Sequence, residues 1–159
     1  MTENAENDRL HCAKIERLGE FTLVSQLLEA GFEVAKPWSD SGIDLIVYDS
    51  RASGRFVARP IQLKVNTGRG FGINEKYDKY RELLIVHIWE VKSDSPRIFA
   101  LTYPETLAVA RERGWLEKDP WKERGRFVVP SAGKPLEEIL LRDKYLMNSK
   151  EDWQRRILT

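Results

Sequence analysis

The sequence SGIDLIVYDSRASGRFVARPIQLK, residues 41–64, predicts two neighbouring β-strands joined by a turn. The first strand, Ile43 to Tyr48, follows a glycine, and the second strand ends near Val65. The turn between them is expected around Ser53 and Gly54. The other predicted elements are placed relative to this pair of strands, so the pair decides the fold.

Polar side chains are spaced along these strands so that they can meet. Side chains alternate on a strand, so Gln62 and Lys64 point to the same side. If the strands pair with Asp44 opposite this end, a carboxylate, an amide and an ammonium group converge at one edge of an apolar sheet. Burial of such groups is costly unless they pair with each other, with water or with a metal ion. The opposite side of the strand is predicted core, at Ile61, Leu63 and Val65.

Two interpretations of the polar side follow. In the first, Asp44 caps a turn and Lys64 extends from an edge strand to a carboxylate on the surface. In the second, the polar groups form the site of a metal-dependent phosphodiesterase. The residues of the two strands leave both interpretations open.

Composition indicates one globular domain. The chain has 159 residues, of which 42% are hydrophobic, and this is enough for one substantial core. The net charge of +1 excludes a protein drawn to nucleic acid by its overall field, so polyanion binding would need local patches. The single cysteine, Cys12, excludes an internal disulfide and a cysteine-rich zinc site. The sequence shows neither a membrane-spanning run nor a secretory signal, so we expect a cytoplasmic protein.

The N-terminal region predicts a helix from Asp8 to Ala30 that ends at Gly31. Its apolar residues indicate a broad buried stripe, in which Leu23 and Leu27 flank a ridge formed by Phe21, Val24 and Leu28. The spacing of Glu20 from the residues of this stripe places its carboxylate on the apolar face of the helix. The alternative, which is equally open, is that Glu20 lies at the boundary of the stripe and faces solvent. Gly19 weakens the helix, which suggests that the helix backbone closely approaches a strand or a ligand at this point.

The remaining elements are read from local patterns. Three glycines within residues 66–74 predict a mobile loop, and the absence of a Gly-Lys-Ser or Gly-Lys-Thr motif argues against a nucleotide cofactor. His87 is expected to be a core histidine with satisfied hydrogen bonds. Residues 115–124 are expected to be irregular. The other predicted elements are strands at Phe32–Lys36, Leu83–Val91, Arg97–Tyr103 and Arg126–Pro130, and helices at Glu75–Glu82, Pro104–Arg113, Pro135–Met147 and Glu151–Leu158.

Three short motifs carry a resemblance to a known family. With Gly19-Glu20, Gly42-Ile43-Asp44 and Gln62-Leu63-Lys64, residues 14–91 resemble the PD-(D/E)XK, or restriction-endonuclease-like, nucleases. The resemblance implies an α/β fold with a mixed central sheet, flanking helices and an α-β-β-β-α-β core. The core would span about residues 14–103 of a single domain, with a C-terminal strand and helix extension at 104–159. Ile43 stands where the family pattern has proline, and Gln62 replaces the usual acid.

The resemblance implies a metal-dependent nuclease, most simply a DNA endonuclease. Phosphodiester hydrolysis needs an activated water and neutralisation of charge on the phosphoryl oxygens, which Mg²⁺ or Mn²⁺ can supply. Asp44 would be the main metal ligand, Glu20 a second ligand directly or through water, and Gln62 a neutral oxygen ligand. Lys64 would stabilise the attacking water and the transition state. With one acid fewer, the site favours a single metal ion.

Partners follow from the same interpretation. Arg69, Lys76 and Lys79 are candidate contacts to DNA, and cutting both strands would require two copies, so a homodimer is expected.

A second basic cluster is Lys118, Lys122, Arg124 and Arg126, whereas Trp115, Trp121 and Trp153 are expected to pack rather than stack on bases. Two alternatives stay open, which are a non-catalytic module of the same fold that binds nucleic acid or protein, and a small interaction protein such as an inhibitor.

Overall fold

A five-stranded mixed sheet forms the centre of the computed structural model, which describes residues 3–51 and 54–159. The strands are β1 Glu33–Ala35, β2 Leu45–Asp49, β3 Val57–Val65, β4 Phe71–Asn74, β5 Leu84–Trp89, β6 Arg97–Thr102 and β7 Arg126–Val129. The α-helices are α1 Glu3–Glu29, α2 Tyr103–Glu112, α3 Asp119–Arg124, α4 Lys134–Arg142 and α5 Lys150–Leu158, and 3₁₀ helices span Glu75–Lys79 and Trp115–Glu117. The expected turn residue Ser53 lies outside the described residues.

The central sheet has the order β1-β2-β3-β5-β6. Strands β1 to β3 are antiparallel, β5 runs parallel to β3, and β6 runs antiparallel to β5. All six residues of β5 are buried, because each face of this strand is covered by one of the two hydrophobic clusters. The predicted mixed α/β architecture with flanking helices is confirmed, and so is the central position of the apolar strand.

Helix α1 packs on β3 at the point that its glycine indicates. A β-carbon on Gly19 would overlap with the side chain of Val65. The predicted close approach of the helix backbone to a strand is therefore confirmed. It fixes α1 beside the end of β3 that carries the candidate polar groups.

The predicted ridge on α1 is wrong for two of its three residues, whereas the third, Val24, packs against the core. Leu23 and Leu27 are fully buried, but Phe21 is 65% exposed and Leu28 is 51% exposed. Each residue advances about 100° around a helix, so Phe21 lies on nearly the opposite side of α1 from Leu23. Apolar residues occur on both sides of this helix, and the sheet covers only the side that carries Leu23 and Leu27.

Residues 66–74 were expected to form a mobile loop, and this expectation is wrong for their second half. Strand β4 pairs with β7 in a separate two-stranded sheet, in which Phe71 and Ile73 are each 2% exposed. Gly72 lies so close to β7 that a β-carbon would be 2.9 Å from the carbonyl oxygen of Phe127. The glycine allows the strands to approach, so it belongs to a strand rather than to a loop.

The C-terminal region differs from its prediction in two places. The segment expected to be irregular contains a 3₁₀ helix and α3. Helix α4 ends at Arg142, well before the predicted Met147, because Lys144 has a positive φ of 60° and the chain then runs beside β6. There Met147 N donates to Ile98 O at 2.8 Å. Within the described ranges, no helix has the length and apolar character needed to cross a membrane.

Candidate functional site

The pairing of β2 with β3 brings Asp44 and Gln62 together. Leu45 is opposite Ile61, and just before β2 the Asp44 N–H donates to Ile61 O at 2.8 Å. The Asp44 carboxylate oxygen Oδ2 then accepts two hydrogen bonds of 2.6 Å, from Leu63 N and from Gln62 Nε2. The strand register that the convergence of these polar groups requires is therefore present.

One cleft contains all four residues predicted to form the site. Its volume is about 490 Å³, and its lining includes Glu20 from α1, Asp44 from the chain before β2, and Gln62 and Lys64 from β3. The loop between β1 and β2 closes one side of the cleft. The four side chains therefore share one pocket, although they are far apart in the sequence.

Glu20 is held by two cations. Its carboxylate accepts from Lys36 Nζ at 2.9 and 3.0 Å and from Arg17 Nη1 at 3.0 and 3.1 Å. The Glu20 side chain is 23% exposed, at the boundary between α1 and the cleft. A metal ion would have to compete with both cations for this carboxylate, so the assignment of Glu20 as a metal ligand stays a prediction.

Asp44 and Gln62 leave two oxygens for a cation. The Gln62 amide nitrogen donates to Asp44 Oδ2. In the described part of the chain, neither Gln62 Oε1 nor Asp44 Oδ1 has a hydrogen-bond partner. No group of three His, Cys, Asp or Glu side chains suited to a metal ion occurs in residues 3–51 and 54–159. Mg²⁺ is commonly held by one or two protein oxygens with several waters, so this small set of ligands fits Mg²⁺ better than it fits Zn²⁺.

Lys64 lies beside a histidine whose environment is unusual. Lys64 pairs with His87 in the parallel register of β3 and β5. His87 is buried, and burial together with the charge of Lys64 lowers its pKa to about 3. Neither ring nitrogen has a hydrogen-bond partner, so the prediction of a satisfied core histidine is wrong in this respect. Phe71 stacks on the imidazole with a centroid distance of 4.1 Å, and the aromatic ring cannot replace the missing partners.

A fully exposed tryptophan also lines the cleft. Trp38 lies in the loop between β1 and β2, next to Lys36. Of the tryptophans weighed from the sequence, Trp115 and Trp153 are buried, as expected for packing residues. Sequence reasoning missed Trp38, although its position in a loop, between the polar pair Ser39-Asp40 and Pro37, is a signal for exposure.

The candidate DNA contacts differ in their surroundings. Arg69 is engaged in ion pairs with Glu90 at 3.1 Å and Glu137 at 3.2 Å. Lys76 and Lys79 lie over the rings of Tyr77 and Tyr80, respectively, at 5.0 and 4.7 Å from the ring centroids. These lysines keep their charges available, whereas the charge of Arg69 is already balanced.

Comparisons of the chain with protein-family profiles, with curated proteins and with solved structures found no match.

Proposed function

We propose that this protein is a metal-dependent nuclease that hydrolyses phosphodiester bonds of DNA in the cleft beside β3. The observation that carries the proposal is that Asp44, Gln62 and Lys64 line one cleft. Asp44 accepts hydrogen bonds there from the Gln62 side chain and from the backbone N–H of Leu63. The alternative interpretation, in which Lys64 extends to the surface from an edge strand, does not fit, because β3 is an inner strand of the sheet. A purely structural role of Asp44 and Lys64 would also not require a cleft at this place.

The order of elements supports a restriction-endonuclease-like core. Helix α1 precedes an antiparallel meander of β1, β2 and β3, and β5 then lies parallel to β3. The connection between β3 and β5 departs from the family pattern, because it contains β4 and a 3₁₀ helix in place of an α-helix. The proposed core therefore matches in the strands that carry the site and differs in the crossover.

The residues of the cleft divide the work. Asp44 and Gln62 would hold one Mg²⁺ or Mn²⁺ ion, which supplies Lewis-acid stabilisation of the phosphoryl oxygens when bound. The N–H of Leu63 fixes the Asp44 carboxylate, so its free oxygen keeps one orientation. The ammonium group of Lys64 stabilises negative charge that develops on the phosphate. Glu20 holds Lys36 and Arg17 at the rim of the cleft, where both cations can meet the nucleic-acid backbone.

A non-catalytic module of this fold is the second candidate. It is favoured by the ion pairing of Glu20, because this pairing leaves a single free carboxylate, that of Asp44, among the four proposed site residues. Such a module would bind nucleic acid through the same cations without hydrolysing it.

Nicking of supercoiled plasmid separates the two candidates. The wild type is expected to nick DNA in Mg²⁺ or Mn²⁺, and EDTA, Asp44→Asn and Lys64→Ala are each expected to abolish the activity. Asp94→Asn and Lys92→Ala are matched controls, because both residues are exposed in the turn between β5 and β6. Circular dichroism checks that each variant is folded.

The outcomes are distinct. Nicking that persists in folded Asp44→Asn and Lys64→Ala proteins would exclude this cleft as the active site. DNA binding with complete inactivity in both metals would favour the non-catalytic module.

A further inference from the structure

A second cavity, of about 210 Å³, shares Lys64 with the cleft. It lies between the two sheets, where β3 and β5 of the central sheet face β4 and β7. Lys64, Lys76 and Arg126 contribute cationic side chains to its wall, and His87 and Tyr77 contribute rings. Because Lys64 lines both cavities, the second cavity is a direct neighbour of the cleft.

The charge of this cavity has one sign. No Asp or Glu of the described residues lines it. Lys64, Lys76 and Arg126 form no ion pair with any described carboxylate. Several arginines elsewhere in the fold do pair with glutamates, among them Arg17, Arg59, Arg69, Arg97, Arg142 and Arg156. Three uncompensated cations around a small cavity create a strong local attraction for an anion.

Two of the cations face the same ring. The Nζ atoms of Lys64 and Lys76 lie 5.3 and 5.0 Å from the centroid of the Tyr77 ring. The ring quadrupole attracts each ammonium group, but it leaves their mutual repulsion in place. A bound anion near these ammonium groups would reduce this repulsion.

His87 gives an independent sign that a polar partner is missing. The imidazole lines the cavity, and both of its nitrogens are buried without a hydrogen bond. An unpaired buried polar group costs about 1–3 kcal/mol, so a native protein normally supplies a partner. The described residues that line this cavity therefore leave both imidazole nitrogens without a partner.

We propose that this cavity is a subsite for a second phosphate group of the bound strand, neighbouring the phosphate in the cleft. The inference rests on the proposed function, since the cleft is taken to hold the phosphate that is cleaved. Lys76 and Arg126 bind the phosphate oxygens and Lys64 lies between the two phosphates. A phosphate suits the cavity because its oxygens can accept charge-assisted hydrogen bonds from several cationic side chains at once.

The experiment measures binding without hydrolysis. A fluorescent single-stranded oligonucleotide is titrated into the full chain in EDTA at several salt concentrations, with Lys76→Ala, Arg126→Ala and Lys92→Ala. Each lost phosphate contact is expected to weaken binding severalfold. It should also make the slope of log K, the association constant, against log salt concentration less negative by about 0.7. Lys92→Ala removes the same charge outside the cavity, so it is expected to bind as the wild type does. Slopes for Lys76→Ala and Arg126→Ala equal to that of Lys92→Ala would overturn the proposal.

A second readout identifies the source of the phosphate. His87 and His11 are the two histidines of the chain, so ¹⁵N spectra of the imidazoles report on the cavity, with the exposed His11 as an internal control. The oligonucleotide is expected to shift the His87 signals and to leave those of His11 unchanged. Shifts produced by inorganic phosphate but not by the oligonucleotide would reject a strand subsite in favour of a site for free phosphate.

The two proposals fail separately. Binding that depends on Lys76 and Arg126 in a protein that cleaves nothing keeps the subsite and rejects the nuclease. Cleavage that requires Asp44 and Lys64, together with unchanged binding by Lys76→Ala and Arg126→Ala, keeps the nuclease and rejects the subsite.

Discussion

Asp44 Oδ2 lies 2.6 Å from Gln62 Nε2, and this one contact sets the chemistry of the cleft. An acid at position 62 would repel Asp44, whereas glutamine donates a hydrogen bond to it. The pair is therefore stable without a cation and still presents two free oxygens. Gln62 thus lets the site form in the absence of the metal, at the cost of one negative charge that would hold the metal.

Gln62→Glu tests this balance. The substitution replaces the donor with a second carboxylate next to Asp44, and we expect it to lower the stability of the metal-free protein by about 1–3 kcal/mol. The same two carboxylates should bind Mn²⁺ more tightly, so the metal should raise the melting temperature of the variant more than that of the wild type. Thermal unfolding with and without Mn²⁺ measures both effects. Equal metal-induced shifts in the two proteins would show that position 62 does not face the ion.

Glu20→Gln tests whether Glu20 binds the metal or positions cations. Because Lys36 and Arg17 already hold the carboxylate, we expect the variant to change the Mg²⁺ concentration for half-maximal nicking by less than threefold. DNA binding in EDTA should not weaken, because the substitution removes a negative charge, whereas Lys36→Met removes a cation and should weaken it. A tenfold or larger rise in the Mg²⁺ requirement would instead identify Glu20 as a metal ligand.

The sequence predicts the parts of the site that depend on local pattern. Alternation along β3 is enough to place Gln62 and Lys64 on one side. The register that brings Asp44 to them is a condition that the sequence leaves open, and the pairing of β2 with β3 meets it. Gly19 indicates a close helix-strand contact because a glycine within a helix has a cost that requires a compensating contact.

The parts that were missed depend on contacts between distant segments. Strand β4 lies in a glycine-rich segment, and it forms a strand because β7, far along the chain, pairs with it. The pairing of Lys36 with Glu20 depends on how α1 docks on the sheet. The unpaired state of His87 is equally invisible in sequence, because hydrogen bonding of a buried side chain is decided by tertiary neighbours.

Gly19→Ala tests the docking of α1 on β3. Alanine favours the helix by about 1 kcal/mol relative to glycine, but its methyl group would overlap with Val65 and cost about 1–3 kcal/mol. We expect net destabilisation in urea unfolding, and partial recovery in the double variant with Val65→Ala. Gly68→Ala is the control, because no atom lies within 4 Å of a β-carbon there. Additive effects of the two substitutions would contradict the contact.

Trp38 tests whether the cleft receives unpaired bases. A fully exposed indole beside Lys36 can stack on a base, and such stacking contributes about 1–3 kcal/mol per base. We expect Trp38→Ala to weaken the binding of single-stranded DNA at least fivefold in EDTA, whereas Trp38→Phe should keep most of the affinity. Fluorescence anisotropy measures both variants. Equal affinity of the alanine variant and the wild type would remove Trp38 from the binding surface.

His87 predicts a specific dependence of stability on pH. Its folded pKa is about 3, below the ordinary value of 6.5, because burial and Lys64 both disfavour the charged imidazole. The unfolded chain therefore binds a proton between these values that the folded chain does not bind, and stability falls as the pH is lowered from 6.5 towards 3. Between pH 6.5 and pH 5 this one group should cost about 2 kcal/mol in the free energy of unfolding.

Urea unfolding at the two pH values should show a smaller loss for His87→Leu than for the wild type. His11→Gln should follow the wild type, because His11 is exposed. An identical loss for His87→Leu and the wild type would mean that the imidazole finds a partner that stabilises its charged form.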